Sequence, residues 1–327
     1  MDHALRLARR GLGNVWPNPA VGCVLVGGGR IVGRGWTQPG GRPHAERMAL
    51  DMAGPAARGA TAYVTLEPCA HHGRTPPCAE GLIHAGVARV VTALTDPDPR
   101  VAGRGHAMLR AAGIEGTEGL RAEAAAALQR GFLSRVTRGR PMVTLKLATS
   151  FDGRIATATG ESRWITGEAA RRHVHLLRLT HDAVMVGAGT ARADRPALNI
   201  RGFGPVRPPV RVVLANGPIP PLPPEDADHG PLWIVPGPPA AALAELGRRG
   251  LTRVLCEGGG RLAAALLAGG LADELVGYTA GVLLGGDGRA AVGPLGRAAL
   301  ADAPRFRLVE TRVLGGDVFH RWVAERG

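Results

Sequence analysis

His44-Ala45-Glu46, Glu67-Pro68-Cys69 and Pro77-Cys78 place one imidazole, two thiols and a free carboxylate between residues 44 and 78. A zinc hydrolase needs this set, because the metal acidifies a bound water and the carboxylate moves its protons. In mid-helix, positions i and i+2 point about 200° apart, so His44 and Glu46 cannot share a face there. Pro43 sets them at a helix start, where both can reach one centre. Cys69 follows an apolar strand, in the kind of loop where layered α/β domains hold ligands. Cys78, after Pro76-Pro77, opens the next helix, whose dipole favours a thiolate. Three ligands, His44, Cys69 and Cys78, leave the fourth zinc position for water. The alternative, a closed structural site with His71 or His72 as fourth ligand, gives Glu46 no task.

Outward from these residues the chain alternates short apolar runs with helical patterns. A helix is predicted near Asp2–Arg10, strands at Val21–Val26 and Arg30–Trp36, and a helix at His44–Ala53. A strand at Thr61–Leu66, a helix at Cys78–Ala85, a strand at Val87–Ala93 and a closing helix at Ala122–Leu133 follow. This rhythm predicts an α/β layered domain. Arg138-Gly139-Arg140-Pro141 breaks the pattern and divides a domain at 1–140 from one at 141–327. The second restarts with a strand at Val143–Leu147, followed by strands at Ala183–Val186, Val210–Leu214, Leu232–Val235 and Val254–Cys256. No internal repeat links the halves.

At 327 residues the chain fits two domains of common size. No apolar run approaches the ~18 to 20 residues of a membrane span, and Met1-Asp2-His3-Ala4 does not open a signal peptide. A soluble cytoplasmic protein is expected. Four cysteines are too few and too unevenly placed for a disulfide framework, and Cys23 and Cys256 read as buried core. The net charge of +13 suits a polyanion partner, but the arginines are scattered, aromatics are 4%, and no basic tail is present. Phosphorylated small molecules account for the charge as well. Of 40 basic residues only Lys146 is a lysine. That singles out a place where a compact ammonium is not exchangeable for a guanidinium fork.

The order His-x-Glu, Pro-Cys, Cys is that of the zinc deaminases of nucleobases. Pro17-Asn18-Pro19-Ala20-Val21-Gly22-Cys23, Pro43-His44-Ala45-Glu46 and Val64-Thr65-Leu66-Glu67-Pro68-Cys69-Ala70-His71-His72-Gly73-Arg74-Thr75-Pro76-Pro77-Cys78 closely resemble the bifunctional deaminase-reductase family of riboflavin biosynthesis. Eight residues separate Cys69 and Cys78, where nucleoside deaminases have two. The resemblance implies a cytidine-deaminase-like α/β/α layered domain that removes the 2-amino group of a 2,5-diamino-6-(5-phosphoribosylamino)pyrimidin-4(3H)-one. It implies Zn2+ on His44, Cys69 and Cys78, Glu46 as proton carrier, and Asn18, His71 and Arg74 on substrate. Polar loop residues such as His71, His72 and Arg74 also occur for solvation alone.

In the second half, Gly-rich turns follow apolar strands at Val186-Gly187-Ala188-Gly189-Thr190 and Glu257-Gly258-Gly259-Gly260-Arg261, a geometry that lets backbone approach phosphate. Gly286-Asp287-Gly288-Arg289-Ala290-Ala291 satisfies a dinucleotide fingerprint by chance, since Gly293-Pro294 leaves no room for its helix. Lys146 to Ala156, Gly160 to Thr166, Gly187 to Thr190 with Asp194-Arg195-Pro196, and Glu257-Gly258-Gly259 resemble the reductase domain of the same family. That implies a dihydrofolate-reductase-like α/β domain transferring hydride from NADPH to the ribosyl C1′. Ala148, Trp164, Thr190, Asp194, Gly258, Gly259 and Gly260 would meet NADPH. Ser162, Arg178, Leu198, Arg201 and Glu257 would meet substrate, with the catalytic Lys146 between. Trp164 as plain core and Asp152-Gly153 as a plain turn are the bland readings. Ala215-Asn216 departs from the family's usual Asp-Ser and leaves that cofactor contact open. The implied partner is a phosphorylated pyrimidine, with no nucleic acid or membrane, in a homo-oligomer. Two rival classes are a zinc deaminase of nucleosides or nucleic acid with a fused reductase-like domain, and a zinc-stabilised nucleic-acid-binding module.

Overall fold

A computed structural model describes residues 1–73, 76–99 and 101–325, and the chain divides into two compact units, Met1–Gly139 and Arg140–Gly327. Arg74 lies outside the described residues.

The first unit runs α1 (Asp2–Ala8), β1 (Gly22–Gly27), β2 (Arg30–Trp36), α2 (Ala45–Ala53), β3 (Thr61–Val64), α3 (Cys78–His84), β4 (Arg89–Thr92), α4 (Arg104–Ala111), β5 (Glu115–Thr117) and α5 (Ala122–Arg138). Its sheet has the order β2-β1-β3-β4-β5, antiparallel across β2-β1-β3 and parallel beyond. Ala45, Ala49 and Ala53 recur every four residues on one face of α2 and are buried against the sheet. A Cβ on Gly33 would lie 2.1 Å from the Ala49 carbonyl oxygen, and one on Gly35 2.0 Å from that of Ala45. Glycine in β2 thus lets α2 rest on strand backbone, which fixes the height of His44 and Glu46 above the sheet. α5 runs past its predicted end at Leu133 because Leu133 and Val136 go on packing on the core, and Gly139 caps it at φ 69°.

The second unit runs β6 (Met142–Ser150), β7 (Arg154–Ala156), α6 (Glu168–Leu179), β8 (Ala183–Gly187), α7 (Ala188–Asp194), β9 (Val210–Leu214), β10 (Leu232–Val235), α8 (Pro239–Arg248), β11 (Arg253–Cys256), α9 (Gly260–Ala268), β12 (Glu274–Ala280), β13 (Arg289–Ala290), β14 (Phe306–Leu314) and β15 (Asp317–Ala324). Eight strands form a sheet of order β10-β9-β8-β11-β6-β12-β15-β14, parallel until the last two ladders. β6 extends beyond the predicted Leu147 because β12 pairs with it from Thr144 to Ser150. Lys146 therefore sits in mid-strand rather than at the strand's end. Arg140, assigned by sequence to the first domain, packs in the second unit, where its guanidinium makes a buried bidentate pair with Asp273 (2.7 and 3.0 Å). Among the described residues no α-helix follows β13, only a short 3-10 turn at Leu300–Asp302, in keeping with a chance fingerprint at 286–291. Cys23 and Cys256 are buried, and among the described residues no helix is long and apolar enough to cross a membrane.

Candidate functional site

His44 is the N-cap of α2, with extended backbone (φ −72°, ψ 160°), and Glu46 lies in the first turn. Cys78 is the first residue of α3, behind Pro77. The ligand atoms of His44, Cys69 and Cys78 lie within 4.8 Å of one another. His44 Nδ1 is 3.3 Å from Cys78 Sγ and 3.7 Å from Cys69 Sγ. Tetrahedral zinc with its usual bond lengths sets such N···S pairs about 3.5 Å apart, so the donors fit the metal. Neither His71 nor His72 joins the trio, and His72 Nε2 pairs with Glu80 at 2.9 Å. The closed-site alternative lacks its fourth ligand among the described residues.

Cys78 N–H donates to Cys69 Sγ at 3.3 Å. Helix α3 therefore serves Cys69, contrary to the expectation that its dipole favours Cys78. Hydrogen bonding from the Cys78 thiol, against the effect of burial and with help from His44, holds Cys69 at a pKa of about 4. The same bond and burial push Cys78 up. Burial raises Glu46, which is 4% exposed, and the facing His44 opposes that shift.

A cavity of 360 Å³ opens on these groups, lined by Asn18, His44, Glu46, Cys69 and His71 among the predicted residues. Asn18 Nδ2 donates to Gly41 O at 2.7 Å, which aims its oxygen side elsewhere. The sequence reading missed Arg42, Asp96, Asp98 and Arg135 on the same wall. Asp96-Pro97-Asp98-Pro99 carries the composition of an ordinary turn, so nothing local marked it. The buried Nδ1 of His71 has no protein hydrogen-bond partner.

In the second unit a cavity of 520 Å³ gathers Lys146, Ala148, Ser162, Trp164, Arg178, Thr190, Asp194, Leu198, Arg201, Glu257, Gly258 and Gly259. Gly260 is not among its lining residues. It opens α9 where a Cβ would lie 2.6 Å from the Ala290 carbonyl oxygen. Arg178 on α6 forms a bidentate pair with Glu257 (2.6 and 3.0 Å) and donates its third edge to Asn199 O. Burial favours the neutral acid at Glu257, but Arg178 and Lys146 outweigh it and hold the carboxyl at about 2. Lys146 is lowered by burial, against Glu257.

Trp164 is 66% exposed, with the Arg171 guanidinium 4.6 Å from its ring centroid, so it is not core. Thr190 Oγ1 accepts Gly259 N–H at 3.1 Å, and Gly258 approaches β8 so closely that a Cβ would lie 2.6 Å from Gly187 N. Gly189 has open space beside it. Exposed aromatic, glycine turn and cations fit a dinucleotide. Asn216, at the departure from the family pattern, lies outside the lining and accepts Gly237 N–H at 2.6 Å. Asp152 is more than a turn residue, since it takes the backbone N–H groups of Leu284 and Gly285 and ties the β6–β7 turn to the loop after β12.

Residues 1–94 match the model of the cytidine and deoxycytidylate deaminase zinc-binding region, and residues 141–320 match that of the RibD C-terminal domain. The riboflavin biosynthesis protein RibD of Escherichia coli (strain K12) is 44% identical, over 97% of this chain and 96% of the relative. The chain belongs to the RibD family. That of Mycobacterium tuberculosis (strain ATCC 25618 / H37Rv) is 43% identical over 95% and 93%. Acinetobacter baumannii RibD, form 1, superposes with a TM-score of 0.90 at 40% identity, covering 99% of this chain and 98% of that one. The Thermotoga maritima structure described as a diaminohydroxyphosphoribosylaminopyrimidine deaminase/5-amino-6-(5-phosphoribosylamino)uracil reductase follows at TM-score 0.87 and 34% identity, covering 99% and 97%. RibD proteins are bifunctional enzymes of riboflavin biosynthesis, and this chain carries both the zinc-deaminase and the reductase domain of the family.

Proposed function

We propose that residues 1–140 deaminate 2,5-diamino-6-(5-phosphoribosylamino)pyrimidin-4(3H)-one and that residues 141–327 reduce the product's ribosyl group to ribityl with NADPH. The observation that carries the first half is the convergence of the His44, Cys69 and Cys78 ligand atoms, at a cavity lined by His44, Cys69 and the buried Glu46. Zinc bound there supplies the acidified water. Glu46 would take one proton from that water as its oxygen bonds to C2 and pass it to the ring nitrogen, then carry the proton of the resulting hydroxyl to the 2-amino group, which leaves as ammonia as the C2 carbonyl forms. Asn18 and His71 meet the heterocycle and ribose phosphate, and the unpaired His71 Nδ1 is suited to a phosphate or ribose oxygen.

In the reductase cavity NADPH supplies the hydride. Ala148, Trp164, Thr190, Asp194, Gly258 and Gly259 hold it, while Ser162, Leu198 and Arg201 hold substrate. Arg178 is fastened to Glu257, so its task is to orient that carboxylate, leaving Lys146 as the cation facing the reacting sugar. A homo-oligomer acting on this small phosphorylated pyrimidine, in the cytoplasm and away from nucleic acid, completes the reading. The test offers purified protein the phosphorylated diaminopyrimidine, cytidine or single-stranded DNA, following ammonia release and oxidation of NADPH and NADH. Ammonia from the first alone, followed by NADPH oxidation, supports the proposal. Ammonia from cytidine or DNA alone overturns it.

A further inference from the structure

We propose that Glu67 is a positioning residue of the deaminase site, tying Asp96 to the start of α4 so that Asp96 and Asp98 are held in the lining of the cavity they share with His44, Glu46 and Cys69. The inference rests on the deaminase reading above.

The Glu67 side chain is fully buried, and among its contacts no lysine or arginine pairs with it; the His106 ring comes nearest, with Nδ1 3.7 Å from Oε1, beyond hydrogen-bond distance. Four backbone N–H groups hold it instead. Oε2 accepts from Asp96 (3.1 Å) and Gly103 (3.0 Å), and Oε1 from Gly105 (2.9 Å) and His106 (3.3 Å). One carboxylate thus caps the start of α4 and grips the loop before it. A carboxylate offers about four lone-pair directions, and all are used. Burying a charge is tolerable only with such full satisfaction.

What the clamp holds is functional surface. Asp96 and Asp98 are 7% and 9% exposed and line the cavity with His44, Glu46 and Cys69. Asp98 N–H donates to Asp96 Oδ1 at 2.9 Å, so the two move as one turn. Carboxylates there accept from the N–H groups in which a diaminopyrimidine is rich. Two residues after Glu67 comes Cys69, so one short stretch, with Pro68 between, registers the Asp96–Asp98 turn against the metal ligand Cys69. Gly105 completes the device, because a Cβ would lie 2.0 Å from the Pro68 carbonyl oxygen. His106 backs it, with its ring Nε2 2.9 Å from Thr92 Oγ1.

Glu67→Gln keeps the shape but turns an NH2 toward two of the four N–H groups. Amide exchange at Asp96, Gly103, Gly105 and His106 should then accelerate about 10-fold or more, and the deaminase KM should rise by a similar factor with kcat within about 3-fold. Zinc should stay near one per chain and NADPH oxidation should be unchanged. Glu67→Asp should recover part of the KM, and Asp98→Ala should raise KM without altering exchange. Gly105→Ala, which forces α4 away from an intact Glu67, should reproduce the KM rise and carries the test should Glu67→Gln fail to fold. Unchanged exchange and KM in the Gln and Gly105→Ala variants overturns the proposal, as does a fall in kcat alone or loss of zinc from all of them. A wild-type protein that never deaminates this substrate while the exchange changes appear as stated overturns the deaminase reading instead.

Discussion

The two cavities solve charge placement differently. In the first unit the reactive groups come from one short span, with His44 and Cys78 at helix starts and Cys69 between them, and their positions are fixed by backbone lying on glycine-bearing strands. In the second, Lys146, Arg178 and Glu257 come from β6, α6 and the residue after β11, and a salt bridge fastens Arg178 to Glu257. A metal site tolerates distant second partners because the ion organises its ligands. A hydride-transfer site has no such organiser and must be preorganised by ion pairs and packing. The two sites should therefore fail independently.

The strongest break comes at Glu46. Glu46→Gln should leave zinc bound and NADPH oxidation on supplied deaminated product intact while ammonia release falls about 10²- to 10⁴-fold, the usual share of a general base. Metal analysis and both half-reactions check it, and retained deamination would remove Glu46 from its role. Next, Lys146→Arg should slow NADPH oxidation at least ~10-fold, about 1.4 kcal/mol at the transition state, with ammonia release unchanged. Wild-type reduction in that variant would leave the cavity's charge on another group, and parallel loss of both activities would show a folding defect.

The histidines sharpen the contrast through stability. Burial holds His181 at about 3, with its Nδ1 against Leu177 O and Nε2 against Thr144 Oγ1. A base lowered in the folded state binds fewer protons there than when unfolded. Stability is therefore full above about pH 6.5 and falls toward pH 4, by up to about 1.4 kcal/mol per pH unit for this group. Urea midpoints at pH 7 and pH 5 should differ less in His181→Asn than in wild type. An identical pH dependence would show that His181 is not the group responsible. The smallest effect is expected from dividing the chain. A fragment ending at Arg140 should deaminate within about 2-fold of the whole chain and consume no NADPH, since each unit has its own sheet and core. A fragment that deaminates only with the rest added would show the units interdependent.

The metal centre was legible because its chemistry is local. The spacing of His44, Glu46, Cys69 and Cys78, with Pro43 and Pro77 marking helix starts, needs no knowledge of distant partners. The strands of high β-branched content, such as Val210–Leu214 and Leu232–Val235, were legible for the same reason. The sequence reading passed over α4, whose run begins among glycines, the strand β12, whose apolar run is broken by Gly277, and the strands β14 and β15, where charged residues interrupt the alternation. β14 is exposed along most of its length and is held by pairing with β15, a non-local contact that no window of sequence displays.

By itself, then, the sequence determined the ligand set, the two-part organisation and the family, because short motifs and hydrophobic periods are properties of neighbouring residues. Only the tertiary structure decided which thiol α3 serves, that Arg178 is fastened to Glu257, that Lys146 stands in mid-strand, and that Asp96 and Asp98 reach the zinc cavity. Each depends on residues far apart in the chain meeting at hydrogen-bond distance, and a buried charge takes its pKa and its task from those partners rather than from its neighbours in sequence.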